Sequence, residues 1–189
     1  MCIFCEFANI PNELIIKYQN KWNTKVSESG YHRRNSDGTR RYTTFNSLWK
    51  YLFKNRNITW DDHLLESCLE NIVINEMYHI PSCNLIFSVN FINKYWNYKK
   101  EEEWWSSGSY DDYEEKHTSE FRLLDKISHC QINDLTFDDF IKYEIKWYGT
   151  LFKKTYYDHS QTTCHIMNPS IKNLLISKRK LSKTVANIV

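Results

Sequence analysis

What most constrains this chain is a pair of metal-ligand clusters at its two ends. Cys2-Ile-Phe-Cys5 sets two thiols two residues apart, and His159 with Cys164 adds an imidazole and a third thiol roughly 150 residues later. Thiolates and imidazole are the ligands zinc prefers, and a C-x2-C pair grips one tetrahedral ion. If Cys2, Cys5, His159 and Cys164 share one zinc ion, the N-terminal segment is stapled beside the connection that precedes the last helix. Asp158 stands where a carboxylate would orient a ligating imidazole. His79, Cys83, His129 and Cys130 are the alternative ligands.

The 189 residues suffice for one domain with its own core and are too few for two ordinary ones, so a single domain is expected. Aromatics at 16% exclude a disordered chain, and only 4 Gly and 3 Pro leave little material for the tight turns of a sandwich or barrel. The expected fold is therefore mainly α: six or seven helices around an aromatic core, with one small β-hairpin. No basic leader or cleavage site opens the chain, and no run of eighteen apolar residues occurs. An intracellular protein with no membrane partner follows as the expectation, its cysteines serving as thiols or metal ligands.

Apolar spacing places the helices. One is expected from about Pro11 to Lys25 and a second from a Thr44 cap to near Asn55–Asn57. A third starts at the Thr59-Trp-Asp-Asp62 box and runs through Met77 up to Pro81. Residues 84–98 fit strand and helix equally, and the Lys-Lys-Glu-Glu-Glu-Trp-Trp105 that follows favours helix by propensity. Residues 106–117 are polar and acidic, and are expected as an exposed loop and internal boundary. A short helix follows through Ile127. A longer one opens at Thr136-Phe-Asp-Asp139 and is expected to reach Tyr156, and a last one starts at Asn168-Pro169.

The net charge of +2 conceals blocks of +6 over residues 1–60, −9 over 61–120 and +5 over 121–189. Between Gly30 and Tyr42, two Tyr- and Arg-rich runs flank Asn-Ser-Asp-Gly, a hairpin signal because Asn and Asp start turns and Gly accepts positive φ. Arg33, Arg34, Arg40 and Arg41 would leave both faces of that hairpin, interleaved with Tyr31, His32 and Tyr42. Arginine neutralises phosphate while aromatic faces stack on bases, so the pattern suits nucleic acid. Lys178, Arg179 and Lys180 on the last helix would add a second patch. Solvated charges balancing the acidic middle are the bland alternative.

Leu64-x3-Cys68-x3-Ile72 resembles the BC-box helix by which ubiquitin-ligase adaptors, including viral ones, dock on elongin. That resemblance implies a protein-recruiting adaptor, against ordinary core packing of the same three residues. The opening Cys-Ile-Phe-Cys is similar to the zinc knuckle of some histidine-triad nucleotide hydrolases, but the His-x-His-x-His run that performs their chemistry is absent. No GxSxG, phosphate-binding glycine loop or HExxH is present. The functional expectation is a non-enzymatic regulatory protein contacting nucleic acid, with a protein adaptor or a nuclease of unrecognised carboxylates as alternatives.

Overall fold

The computed structural model describes residues 7–34, 38–107, 114–152, 154–157, 163–166 and 168–186, with side chains over 7–25, 47–103, 117–152 and 168–178. Pro11, its φ fixed at −60°, precedes α1 (Asn12–Lys17), which buries Ile15. At Tyr18 the backbone leaves helical geometry before the single turn of α2 (Gln19–Trp22), so the helix expected to reach Lys25 stops short. Trp22 donates its indole N–H back to the Ile15 carbonyl at 3.0 Å.

β1 (Lys25–Arg34) and β2 (Gly38–Ser47) form an antiparallel hairpin that is longer than expected. Thr44 and Phe45 belong to β2, and Ser47 is the N-cap of α3 (Leu48–Lys54). Helix α3 buries Leu48, Trp49, Tyr51, Leu52 and Phe53. Phe53 meets Trp60 edge-on at 5.2 Å between ring centroids. From Ile15 to Ile171 the buried apolar side chains form one cluster.

The third helix is much shorter than its apolar stripe suggests. Asp61, rather than Thr59, caps α4 (Asp62–Cys68) by accepting from the Leu64 N–H at 2.8 Å. After Cys68 the chain turns, then resumes as a 3-10 helix over Ile74–His79. The break is held by two charged side chains from a distant strand. Lys100 Nζ donates to the carbonyls of Glu70 and Ile72 at 2.7 and 2.8 Å, and Glu102 accepts from the N–H groups of Ile74 and Asn75 at 2.5 and 2.9 Å. Backbone groups orphaned where a helix stops are thereby satisfied.

That distant strand is the stretch expected to be helical. β3 (Ile86–Ser88) leads into α5 (Val89–Lys94), where Ser88 Oγ caps the Phe91 N–H at 3.0 Å. β4 (Lys99–Ser107) then pairs antiparallel with β5 (Glu114–Arg122). Residues 108–113, within the expected acidic loop, lie outside the described residues, and the strands on either side pair with each other directly.

α6 (Leu123–Ile127) follows β5, and β6 (Gln131–Asn133) pairs parallel with β3. In α7 (Phe137–Trp147) the Thr136–Asp139 capping box forms as its sequence requires. The helix ends nine residues before Tyr156: Gly149 takes φ 84°, and the chain continues as the hairpin of β7 (Lys154–Tyr157) and β8 (Thr163–Ile166). Asn168 opens α8 (Pro169–Ala186), its Oδ1 accepting from Ser170 N at 3.0 Å while Nδ2 donates to the carbonyls of Ser128 and Cys130.

The expectation of a mainly helical fold does not hold. Eight strands in four two-stranded sheets, three of them antiparallel hairpins, alternate with the helices among the described residues. Helix propensity in charged runs was outweighed by cross-strand pairing and alternate-residue burial, the tertiary terms that decide strands. No helix among the described residues is long and apolar enough to cross a membrane.

Candidate nucleic-acid interface

The register of β1 and β2 orders the candidate arginines. Tyr31 faces Arg41, His32 faces Arg40, Arg33 faces Thr39 and Arg34 faces Gly38, so four consecutive rungs next to the turn carry one arginine each. Because successive strand positions alternate faces, positions 33 and 41 share one face and positions 34 and 40 the other. Residues 35–37 of the expected turn lie outside the described residues.

At its base the hairpin is locked to the core. Ser47 donates its backbone N–H to Glu76 Oε1 at 3.0 Å and its hydroxyl to Glu76 Oε2, while Leu48 N donates to the Thr24 carbonyl at 3.1 Å. Glu76 belongs to the 3-10 helix whose N-terminal amides Glu102 accepts, so one short helix anchors both long hairpins. Burial raises the Glu76 carboxyl above its ordinary value against the pull of the Ser47 hydrogen bonds. Burial likewise raises Glu102, opposed by the two amides, and lowers Lys100, opposed by Glu102 and Glu70. Lys126 completes the cluster, its Nζ 3.1 Å from Asn75 Oδ1 and 4.9 Å from the Phe121 ring centroid.

Glu76, Lys100 and Glu102 are absent from the candidate residues drawn from sequence. For Lys100 and Glu102 the mark is a period of two: Lys99, Glu101 and Glu103 are exposed, Lys100 is half-buried and Glu102 is buried.

The second basic patch lies on α8, which packs against β6. Exposed Lys178 holds its Nζ 4.7 Å from the Phe137 ring centroid. Arg179 and Lys180 continue the helix, and their side chains lie outside the described residues.

Of the candidate zinc ligands, Cys2, Cys5 and His159 lie outside the described residues, and only the backbone of Cys164 is described, opposite Tyr156 in the last hairpin. The alternative ligands do not converge: no group of three His, Cys, Asp or Glu among the described residues is arranged to hold a metal. Cys130 is fully buried, its thiol pushed up to about 12 by desolvation. His129 Nε2 sits 3.2 Å from the Ile80 carbonyl, and exposed Cys83 directs its sulfur to Asn84 Oδ1 at 3.1 Å.

Two further groups of residues have structural employment. Asp61, Asp62, His63 and Asp134 line one open cleft. Each aspartate there holds a backbone N–H: that of Leu64 for Asp61, Ser88 for Asp62 at 3.0 Å and Val89 for Asp134 at 3.1 Å. Leu64, Cys68 and Ile72 are all at 0% exposure, and α4 ends at Cys68, so the BC-box-like residues are core rather than a presented helix face. The chain matches no known protein family, no curated protein and no solved structure.

Proposed function

We infer that this is an intracellular, non-enzymatic regulatory protein that contacts nucleic acid through the β1–β2 hairpin, with Lys178, Arg179 and Lys180 of α8 as a second contact. The observation that carries the reading is the run of four consecutive arginine-bearing rungs. Same-face arginines two rungs apart are separated by about 7 Å along the strand. A two-stranded ribbon of this kind fits the major groove of a duplex, and its tyrosines suit stacking on unpaired bases.

Binding to mixed DNA and RNA oligonucleotides across a salt series tests it. Four phosphate contacts give a steep loss of affinity with salt, and replacing Arg33, Arg34, Arg40 and Arg41 together with alanine should flatten the log–log slope by about 3 to 4. An unaltered slope refutes the assignment. Failure of the wild-type protein to bind either pool returns the question to an adaptor role.

A zinc ion on Cys2, Cys5, His159 and Cys164 belongs to the same proposal, supported by the chemistry of that donor set. Elemental analysis of protein purified without a His-tag should find one zinc per chain. Zinc and thermal stability should be lost together in Cys5→Ser and in Cys164→Ser, since ligands so distant in sequence meet only in the folded state. Full retention in both variants excludes this ligand set.

A further inference from the structure

We propose that the outward side of α7 is a docking face for an amphipathic helix of another protein, one whose apolar side is bordered by carboxylates. The proposal is independent of the nucleic-acid reading. α7 is apolar on two sides. Phe140, Tyr143 and Trp147 pack toward the core, and Trp147 donates its indole N–H to Asn93 Oδ1 at 3.2 Å. Ile141, Ile145 and Tyr148 are spaced i, i+4 and i+7 and so lie along the other side, at 57%, 94% and 61% exposure. Neither isoleucine belongs to the core cluster or packs against it. Apolar side chains scattered singly over a surface are ordinary, but a stripe with this spacing is how a helix presents anchors to a partner.

Charge names the partner. Lys142 and Lys146 run along the border of the stripe nearer α5. Lys142 Nζ stands 4.9 Å from the Tyr143 ring centroid, and Lys146 Nζ stands 5.5 Å from that of Trp96 and 3.0 Å from Asn93 Oδ1. Both side chains are exposed, and a lysine bonded once keeps two further N–H donors. Held by ring and amide, they lose less rotamer freedom on meeting a carboxylate than a solvated lysine does. Helix geometry puts Glu144 on the opposite border, where Lys178 also stands, 4.7 Å from the Phe137 ring centroid. Asp138 closes the N-terminal end of the stripe, and the Asp139 carboxylate is turned to Thr136 by the capping box. Other occupants fit this border less well. An anionic bilayer would meet Asp138 and Glu144. A second copy of α7 sets lysine border beside lysine border when the helices run antiparallel, and Asp138 beside Asp138 when they run parallel, and like charges repel in both.

An NMR titration of the isotope-labelled full-length protein tests the proposal. The probe is a stapled helical peptide with leucines at i, i+4 and i+7 and glutamates along one border, and its twin carries lysines in place of the glutamates. The glutamate peptide should shift the amide resonances of residues 137–148, and the lysine twin should bind at least about tenfold more weakly. Ile145→Ser, a change at a side chain without core contacts, should weaken the glutamate peptide by about tenfold as well. Lys142→Glu combined with Lys146→Glu should reverse the preference in favour of the lysine twin, and a reversal also shows that the variant is folded. Absence of shifts along α7 with the glutamate peptide, equal binding of the twins, or a preference that does not reverse overturns the proposal. Self-association in sedimentation equilibrium, or binding to anionic vesicles or to an oligonucleotide, overturns it too if Ile145→Ser abolishes that behaviour, because the stripe would then belong to another occupant.

Discussion

The two long hairpins share an anchor and differ in what their charges do. In β4–β5 the central charges turn inward, with Glu102 buried against the amides of Ile74 and Asn75 and Lys100 drawn onto the carbonyls of Glu70 and Ile72. In β1–β2 the charges gather toward the turn, one arginine per rung, while the tie to the core is made at the far end by Ser47. A charged strand thus ties into the core or does not according to which face and which end of it bear the charge. Composition cannot separate the two cases. Position relative to the base of the hairpin can.

The sharpest way to break this contrast is to remove Glu102. Glu102→Ala strips the acceptors from the buried Ile74 amide and the partly buried Asn75 amide, an unpaired buried amide costing about 1–3 kcal/mol, offset in part by relief of the buried carboxylate. The expected loss is about 2 kcal/mol or more, read as a lower urea midpoint at unchanged slope. Gln at this position should rescue poorly, because its amide nitrogen would face the Asn75 N–H donor to donor. A loss below about 0.5 kcal/mol, ordinary for a surface substitution, would show that β4–β5 is no better anchored by charge than β1–β2.

A smaller effect distinguishes Glu76, which holds β2, from Glu102. Both carboxyls have folded-state pKa values raised by burial. For such a group the folded state binds its proton more tightly than the unfolded chain does. Its contribution is fully present below the unfolded pKa and is lost as pH rises through the raised folded value. The thermal midpoint should therefore increase as pH is lowered from neutrality into the window just above the ordinary glutamate range. Glu76→Gln should remove part of that increase with little loss of stability at neutral pH. Ser47 Oγ can accept from the new amide as readily as it donates to the carboxylate, while Ser47 N keeps an acceptor. A pH profile identical in wild type and Glu76→Gln would mean that Glu76 is as hydrated as an ordinary surface carboxylate.

How much of this could be read from the residues follows from the same physics. The first hairpin was legible because Asn-Ser-Asp-Gly punctuates two alternating runs, and the starts at Thr136 and Asn168 were legible because capping is local chemistry. The second hairpin was not, since Lys-Lys-Glu-Glu-Glu has good helix propensity and its partner strand lies across an acidic, turn-rich stretch that reads as a boundary loop. The break after Cys68 was hidden for a related reason. Leu64, Leu65, Cys68, Leu69 and Ile72 make a continuous helical stripe, and only Lys100 and Glu102, some thirty residues on, determine where its backbone bonds end.

The smallest effect expected lies three residues from the largest. Lys99 and Glu120 stand 2.7 Å apart on the outward face of the second hairpin, each side chain 52% exposed. Their Coulomb attraction is weakened by water and by salt, and holding two long side chains in one geometry consumes rotamer entropy. A double-mutant cycle on Lys99→Ala and Glu120→Ala should give a coupling of about 0.5 kcal/mol or less at low salt, vanishing near 1 M. Lys100 and Glu102 should keep most of their contribution under the same salt, because buried partners are screened far less. Equal salt sensitivity in the two sets would mean that water reaches Glu102. In that case strand alternation would separate the charges by direction only, and the second hairpin's outward and inward charges would be equally open to a partner.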